Sequence, residues 1–169
     1  MNGVTITDEQ AVNLSECRVP TTTIELSTLD NIKGVIESLF EEHYEEIARN
    51  KQIMKLKPDE KTYHQMEEMR KIFILSAWQD DVLIGYSVNF VTNHLHYADL
   101  VIAQNDLLYI TKEKRGSRAG LRLIKETENY AASLGCKLML WHAKENTTLS
   151  AILPKMKYGV QDIIYSKEL

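Results

Sequence analysis

Cysteine is scarce in this chain. Only Cys17 and Cys136 occur among 169 residues, and neither sits in a Cys-x-x-Cys or Cys/His pattern. A disulfide framework or a structural zinc site therefore has little to build on, and a reducing cytoplasm is the expected compartment. There is no basic excess. Twenty Lys and Arg stand against 24 Asp and Glu, for a net charge of −4, which argues against nucleic acid as a general partner. Long apolar runs are missing too, and the N-terminal MNGVTITDEQ is neither basic nor apolar, so no membrane or secretory segment is expected. Only three prolines and seven glycines punctuate the chain, and no repeat, linker or low-complexity tract divides it.

What remains is a globular composition, 44% hydrophobic and 26% charged, in a length suited to one domain with a full core. Residues 1–20 are polar and end at Pro20; they read as an arm or edge segment, leaving 21–169 as the domain. Thr21 to Leu26 alternates and is rich in β-branched residues, which predicts a first strand. Ser27 or Thr28 can cap a helix that carries Leu29, Ile32, Ile36, Leu39 and Phe40 on one face. A second helical stretch, Glu41 to Arg49, is strongly acidic, and Pro58-Asp59 opens a third helix to about Arg70. Lys71 to Gln79 and Val82 to Val91 form a hairpin through Asp80-Asp81, and Thr92 to Asp99 (TNHLHYAD) is a polar aromatic connection. A central strand ends at Thr111 and a helix ends at Gly135. Lys137 to Ala143 is a further strand, Glu145 to Thr148 caps a short helix to about Met156, and Val160 to Tyr165 is the last strand. A hairpin before a βαβ unit predicts an α/β (α+β) fold with a mixed central sheet of about six to seven strands.

The stretch with the clearest chemistry is Asp106 to Gly135. An apolar strand (DLLYIT) leads into a polar turn with both glycines (KEKRGSRAG), and Leu121, Ile124, Ala131 and Leu134 then recur at helical spacing. Gly135 stands where a left-handed C-terminal cap belongs. A basic turn that feeds a helix N-terminus offers free N–H groups and the positive end of the helix dipole, which together grip a phosphate or pyrophosphate.

Arg115-Gly116-Ser117-Arg118-Ala119-Gly120 resembles the Arg/Gln-x-x-Gly-x-Gly/Ala signature of the GCN5-related N-acetyltransferases. The preceding DLLYI resembles that family's central strand, and LMLWHA, Asn146 and Tyr158-Gly159 resemble its last third. The likeness covers residues 72 to 169 well and the earlier part by layout. HLHYAD and the short ending are also similar to small members encoded by bacteriophages and bacteria. The resemblance implies the acyl-CoA N-acyltransferase fold, acetyl-CoA as cosubstrate, no metal, and an amine acceptor; dimers are common in the family, so a homodimer is among its expectations. It also implies that backbone groups of Leu108, Tyr109 and Ile110 hold the pantetheine arm, with Arg115 to Gly120 (Arg115, Gly116, Ser117, Arg118, Ala119, Gly120) on the pyrophosphate and Asn146 beside the arm. Arg118 departs from the pattern, since the signature has glycine there. Its side chain either hydrogen-bonds a phosphate or crowds it.

Transfer of an acetyl group to an amine needs a proton acceptor, donors for the oxyanion and an acid for the thiolate. Asp106 is the first candidate base; the bland alternative is a strand-end carboxylate facing water. His96, in the cluster His94-His96-Tyr97, is a second candidate, against a reading as plain loop packing. The family often has a tyrosine acid four residues before a Gly-Phe pair, and here that position falls on Leu153 or Lys155. Tyr158 is the nearby candidate acid, against a core role; Tyr109, His142 or solvent are alternatives. Glu41, Glu42, Glu45 and Glu46 read either as a solvated helix face or as a mouth that attracts a cationic amine. Two competing functions stay open: a non-catalytic acyl-CoA-binding module, and another nucleotide-binding α/β protein. Against the second, no Gly-x-x-x-x-Gly-Lys-Ser/Thr is present.

Overall fold

The computed structural model describes residues 21–169; the expected arm at residues 1–20 lies outside the described residues. The elements run β1 (Thr22–Ser27), α1 (Leu29–Ile47), α2 (Glu60–Glu68), β2 (Ile72–Gln79), β3 (Val82–His94), β4 (Tyr97–Ile110), α3 (Ala119–Ser133), β5 (Leu138–Leu140) and α4 (Thr148–Ile152). One sheet holds the strands in sequence order. β1 to β4 are antiparallel neighbours and β5 joins β4 in parallel, so the sheet is mixed as predicted.

Among the described residues the strand count is five, not six or seven. Val160 to Tyr165 is not a strand. Ile163 and Ile164 are 71% and 76% exposed, and β5 shrinks from the expected seven residues to Leu138–Leu140. A β-branched segment becomes a strand only when a neighbouring edge accepts its backbone, and so short a β5 offers little edge. The expected connection at Thr92 to Asp99 is also absent. β3 and β4 instead continue as a two-stranded ribbon to a tight turn at Leu95-His96. That ribbon is largely open to water, so its residues carry no burial alternation to read.

Three helices were expected before β2, and two exist. Nothing between Phe40 and Ile47 breaks a helix, and His43 extends the stripe of Ile32, Ile36 and Leu39 at four-, three- and four-residue steps, so the acidic run forms the last turns of α1. Thr28 caps α1 by accepting from the Asn31 N–H at 3.3 Å. Asp59 caps α2 in the same way through Thr62. Asp80 and Asp81 both take positive φ, 49° and 62°, the conformation of a two-residue hairpin turn whose twist matches the strands. At the end of α3, Gly135 at φ +86° lets its own N–H reach Ala132 O and the Cys136 N–H reach Ala131 O.

Each sheet face carries its own core. On one, Leu29, Ile32, Ile36 and Leu39 of α1 pack on Ile72, Ile74, Leu83, Tyr86, Val88 and Tyr109. On the other, Ala119, Leu123 and Ala131 of α3 pack on Phe73, Leu75, Ala77, Ile84, Ala103 and Ile110. β3 and β4 approach so closely that a Cβ at Gly85 would stand 2.4 Å from Tyr109 O and 2.4 Å from Ile110 Cδ1.

Candidate active site

β4 changes phase halfway along. Val101 and Ala103 pack on the α3 side, and so do Leu108 and Ile110. Strict alternation cannot put both odd and even positions on one face. The register explains it: Val88 pairs with Leu107 and Asn89 with Asn105, which leaves Asp106 as the extra residue of a β-bulge. The ladder of β4 with β5 ends just before this bulge, at Gln104–Leu140, where β5 itself ends. Asn105, only 2% exposed, holds the chain that follows β5. Its Oδ1 accepts from the His142 N–H and its Nδ2 donates to His142 O at 3.4 Å. Beyond that point, among the described residues, no strand lies against the β4 edge from Asp106 to Ile110. That edge carries backbone groups of the kind that bind an extended chain.

Asp106 is exposed and accepts a hydrogen bond from the Tyr63 hydroxyl of α2 at 2.9 Å, so it belongs to the α1–α2 side. Burial, and then the Asp106 charge, push the Tyr63 phenol well above its ordinary range. Tyr109 faces the same side. Its hydroxyl donates to Glu42 Oε2 at 3.3 Å, and its ring stacks on His43 at 4.7 Å. Burial and Glu42 push this phenol up to about 12. His43 shares a hydrogen bond of 2.7 Å between Nδ1 and the Tyr86 hydroxyl. Burial first, and Lys144 second, push the His43 imidazole down to about 4, so it is neutral at neutral pH. Glu41, Glu42, Glu45, Glu46, Tyr109, Lys112 and Glu113 line a surface cleft beside these groups.

The turn after β4 is a short 3₁₀ segment, Lys112–Lys114, followed by Arg115 to Arg118. Arg118 is the N-cap of α3 in the left-handed region, φ 65°, and caps no N–H with its side chain. The first backbone bond of α3 runs from the Arg122 N–H to Arg118 O, so the N–H groups of Ala119, Gly120 and Leu121 point out of the helix end unclaimed by it. A Cβ at Gly120 would meet only Ile110 Cγ1, at 3.6 Å. The two arginines of the turn differ. Arg115 grips Glu46 with both terminal nitrogens at 2.7 Å, and its Nε donates to Ile110 O at 3.0 Å. The guanidinium also lies over the Tyr109 ring and holds the Glu46 carboxyl below the usual range. Arg118 is exposed and has no side-chain partner among the described residues.

A strand edge without a strand partner thus leads, through a basic turn, to an open helix N-terminus. The profile of the acetyltransferase (GNAT) family matches residues 35–153. The chain belongs to this family. No curated protein matches. Among solved structures, a ribosomal-protein-alanine N-acetyltransferase from Brucella melitensis biovar Abortus 2308 is 17% identical with a TM-score of 0.64, over 88% of this chain and 97% of that one. An aminoglycoside acetyltransferase from an uncultured soil metagenomic sample is 14% identical at a TM-score of 0.67, covering 88% and 97%. A glucosamine-6-phosphate N-acetyltransferase from Arabidopsis thaliana is 13% identical at 0.64, covering 88% and 98%. At these identities the likeness concerns the fold.

Within this acetyltransferase, the candidate residues fall into three groups. Asp106, Leu108, Tyr109, Ile110 and the turn from Arg115 to Gly120 lie together along β4 and the start of α3. The side chains of Leu108 and Ile110 enter the α3-side core, which leaves their backbone as the part available to a ligand. Tyr158 is elsewhere: its hydroxyl donates to Glu128 of α3, which also receives Trp141 Nε1 at 3.2 Å. Burial and Glu128 push the Tyr158 phenol up, a poor setting for an acid. His96 stands at the exposed tip of the ribbon. Nine strand residues, Tyr97 to Asn105, separate it from Asp106, about 30 Å at ~3.3 Å each. The structure does not bring His96 and Asp106 together.

Asn146 is exposed at φ 62° and is not the cap of α4. That role belongs to Thr147, which forms a capping box with Ser150. Tyr63, Asn105 and Glu46 were not singled out from the sequence for the roles they take here. Neither Asn105, which stands between Gln104 and Asp106, nor Tyr63 carried a sequence signal for its role. Among the described residues, no group of three or more His, Cys, Asp or Glu stands together to hold a metal ion, and no helix is long and apolar enough to cross a membrane.

Proposed function

We propose that this acetyltransferase moves an acetyl group from acetyl-CoA to the amine of a cationic acceptor by direct attack on the thioester. The observation that carries the reading is the bulge at Asp106. The bulge falls just past the end of the β4–β5 ladder and leaves Asp106 as its extra residue, on the strand that leads through the basic turn to the open end of α3. The β4 edge from Asp106 to Ile110 offers the pantetheine arm a strand-like backbone partner. The N–H groups of Gly116, Ala119 and Gly120, with the Arg118 guanidinium, suit a pyrophosphate at a helix N-terminus, while the Ser117 N–H donates to Lys114 O. No side chain at Gly120 stands in the way of that approach.

An alkylammonium with a pKa of about 10.4 must lose a proton before it attacks. In this reading Asp106 receives that proton, directly or through water. A β4 backbone N–H stabilises the oxyanion, and solvent protonates the departing thiolate because Tyr158 is engaged with Glu128. Glu41, Glu42 and Glu45 favour a cationic acceptor by charge. The three solved relatives act, by their names, on a ribosomal protein alanine, an aminoglycoside and glucosamine-6-phosphate, so the fold carries no single acceptor.

The test is thiol release from acetyl-CoA in the presence of polyamines, aminoglycosides, amino acids and peptides. Release stimulated by at least one cationic class is the expected result. A second reading, a non-catalytic acyl-CoA-binding module, draws on the engaged Tyr158 and the arginine at a glycine position. Thermal stabilisation by CoA with no thiol release from any amine would select it.

A further inference from the structure

We propose that Tyr63 is a positioning residue for the reaction, one that aims the Asp106 carboxylate, so that α2 takes part in the active site. This deepens the reading of Asp106 as the proton acceptor and rests on it. The geometry is specific. Tyr63 belongs to the short helix α2, 43 residues from Asp106 in sequence, yet its hydroxyl donates to Asp106 Oδ2 at 2.9 Å. Its ring packs against the α1-side core with Phe40, Met66 and Leu107, which fixes where the hydroxyl can point. Asp106, by contrast, is the unpaired residue of a bulge and is exposed, so its backbone setting leaves the side chain free to turn.

The charged groups around Asp106 are few. Tyr63 of α2 and Tyr86 of β3 are the titratable side chains whose ionisation feels its charge. Among the described residues no Lys, Arg or His forms an ion pair with it. Among the described residues the Tyr63 hydroxyl is thus the one side-chain donor on this carboxylate. The same bond holds one oxygen and leaves the other, Oδ1, for the incoming amine or its bridging water. A carboxylate that kept every rotamer would present its free oxygen to the amine only part of the time.

The experiment is Tyr63→Phe, which keeps the ring and deletes the donor. The Asp106 χ1 rotamer is read directly from NMR three-bond couplings, assigned with Asp106→Asn. kcat and KM are measured beside it, with the best amine from the acceptor panel. The expected result is one dominant Asp106 rotamer in the wild type and rotamer averaging in the variant, with kcat at neutral pH lower by about three- to tenfold. KM for acetyl-CoA should not change, because the α3 turn is untouched. Unchanged Asp106 rotamer populations in Tyr63→Phe would overturn the proposal. If the populations change but Asp106→Asn retains wild-type turnover, the hydrogen bond stands while Asp106 is removed as the base, so the two failures are separable.

Discussion

Glu46 and Arg115 form a bidentate ion pair, with both nitrogen–oxygen distances at 2.7 Å, that ties the last turn of α1 to the turn before α3. Lys112 stands a further 4.0 Å from the same carboxylate. Planar guanidinium and planar carboxylate match edge to edge, so an arginine in this grip has few donors left for a second anion. The residue that the family signature assigns to phosphate is thus already engaged.

Glu46→Gln should loosen that grip and return Arg115 to the anion site. The expected outcome is CoA binding tightened about three- to tenfold at low salt, with a stability loss of no more than about 1 kcal/mol because the pair is partly exposed. Isothermal titration with CoA checks the first and urea denaturation the second. Unchanged affinity would mean that Arg115 serves only to hold α1 in place.

Arg118→Gly removes a side chain from a left-handed position at φ 65°. Such a conformation costs a non-glycine residue roughly 1 kcal/mol, offset in part by the larger entropy of glycine in the unfolded chain. Stability should therefore hold or rise slightly. CoA affinity should fall about tenfold and become less salt-dependent, since a cation free to meet phosphate is lost from the turn. Tighter CoA binding in the variant would show that Arg118 crowds the phosphates instead.

Gly85→Ala should be among the most damaging small substitutions in the chain. Its Cβ would sit 2.4 Å from the Tyr109 carbonyl oxygen, which is backbone and cannot swing aside. A loss of about 1–3 kcal/mol or more is expected, and the shift of β4 should reach Tyr109 and the cleft. Thermal denaturation tests this; a midpoint within a degree of wild type would contradict the packing.

His43 makes stability fall in mild acid. Its folded pKa, about 4, lies below the unfolded value near 6.5, so the unfolded chain binds a proton more readily. The contribution is whole above pH ~6.5 and is lost as pH falls from there toward 4, on the order of 3 kcal/mol in all. His43→Phe keeps a ring against Tyr109 but cannot titrate. It should lower stability at pH 7.5 by leaving the Tyr86 hydroxyl unpaired, and the gap to wild type should narrow toward pH 4.5. Urea midpoints at several pH values check this; a constant gap would sink it.

Several features were legible from local pattern alone. The cap at Thr28, the Asp80-Asp81 turn and the glycine ending α3 all rest on residues within a few positions of one another. The strand–turn–helix order around Arg115 to Gly120 was legible for the same reason. The long ribbon, the absent last strand and the start of α2 after Asp59, with Pro58 outside its first turn, were not. Val160 to Tyr165 is rich in β-branched and aromatic residues, but whether it becomes a strand depends on a β5 edge formed far away in the chain.

Local period, caps and turn chemistry determined most elements of this protein, and the resemblance carried by Arg115 to Gly120 pointed to its family. Tertiary structure decided which side chains meet at the candidate site. Asp106 faces the α1–α2 side because of a bulge, and an apolar strand that is buried on both faces carries no alternation in which a phase change could be read. Tyr63 reaches Asp106 across 43 residues, and Glu46 takes Arg115 across 69. Side chains so far apart in sequence meet only once the helices have packed on the sheet. Their pairing is a property of that packing, and no spacing in the chain announces it.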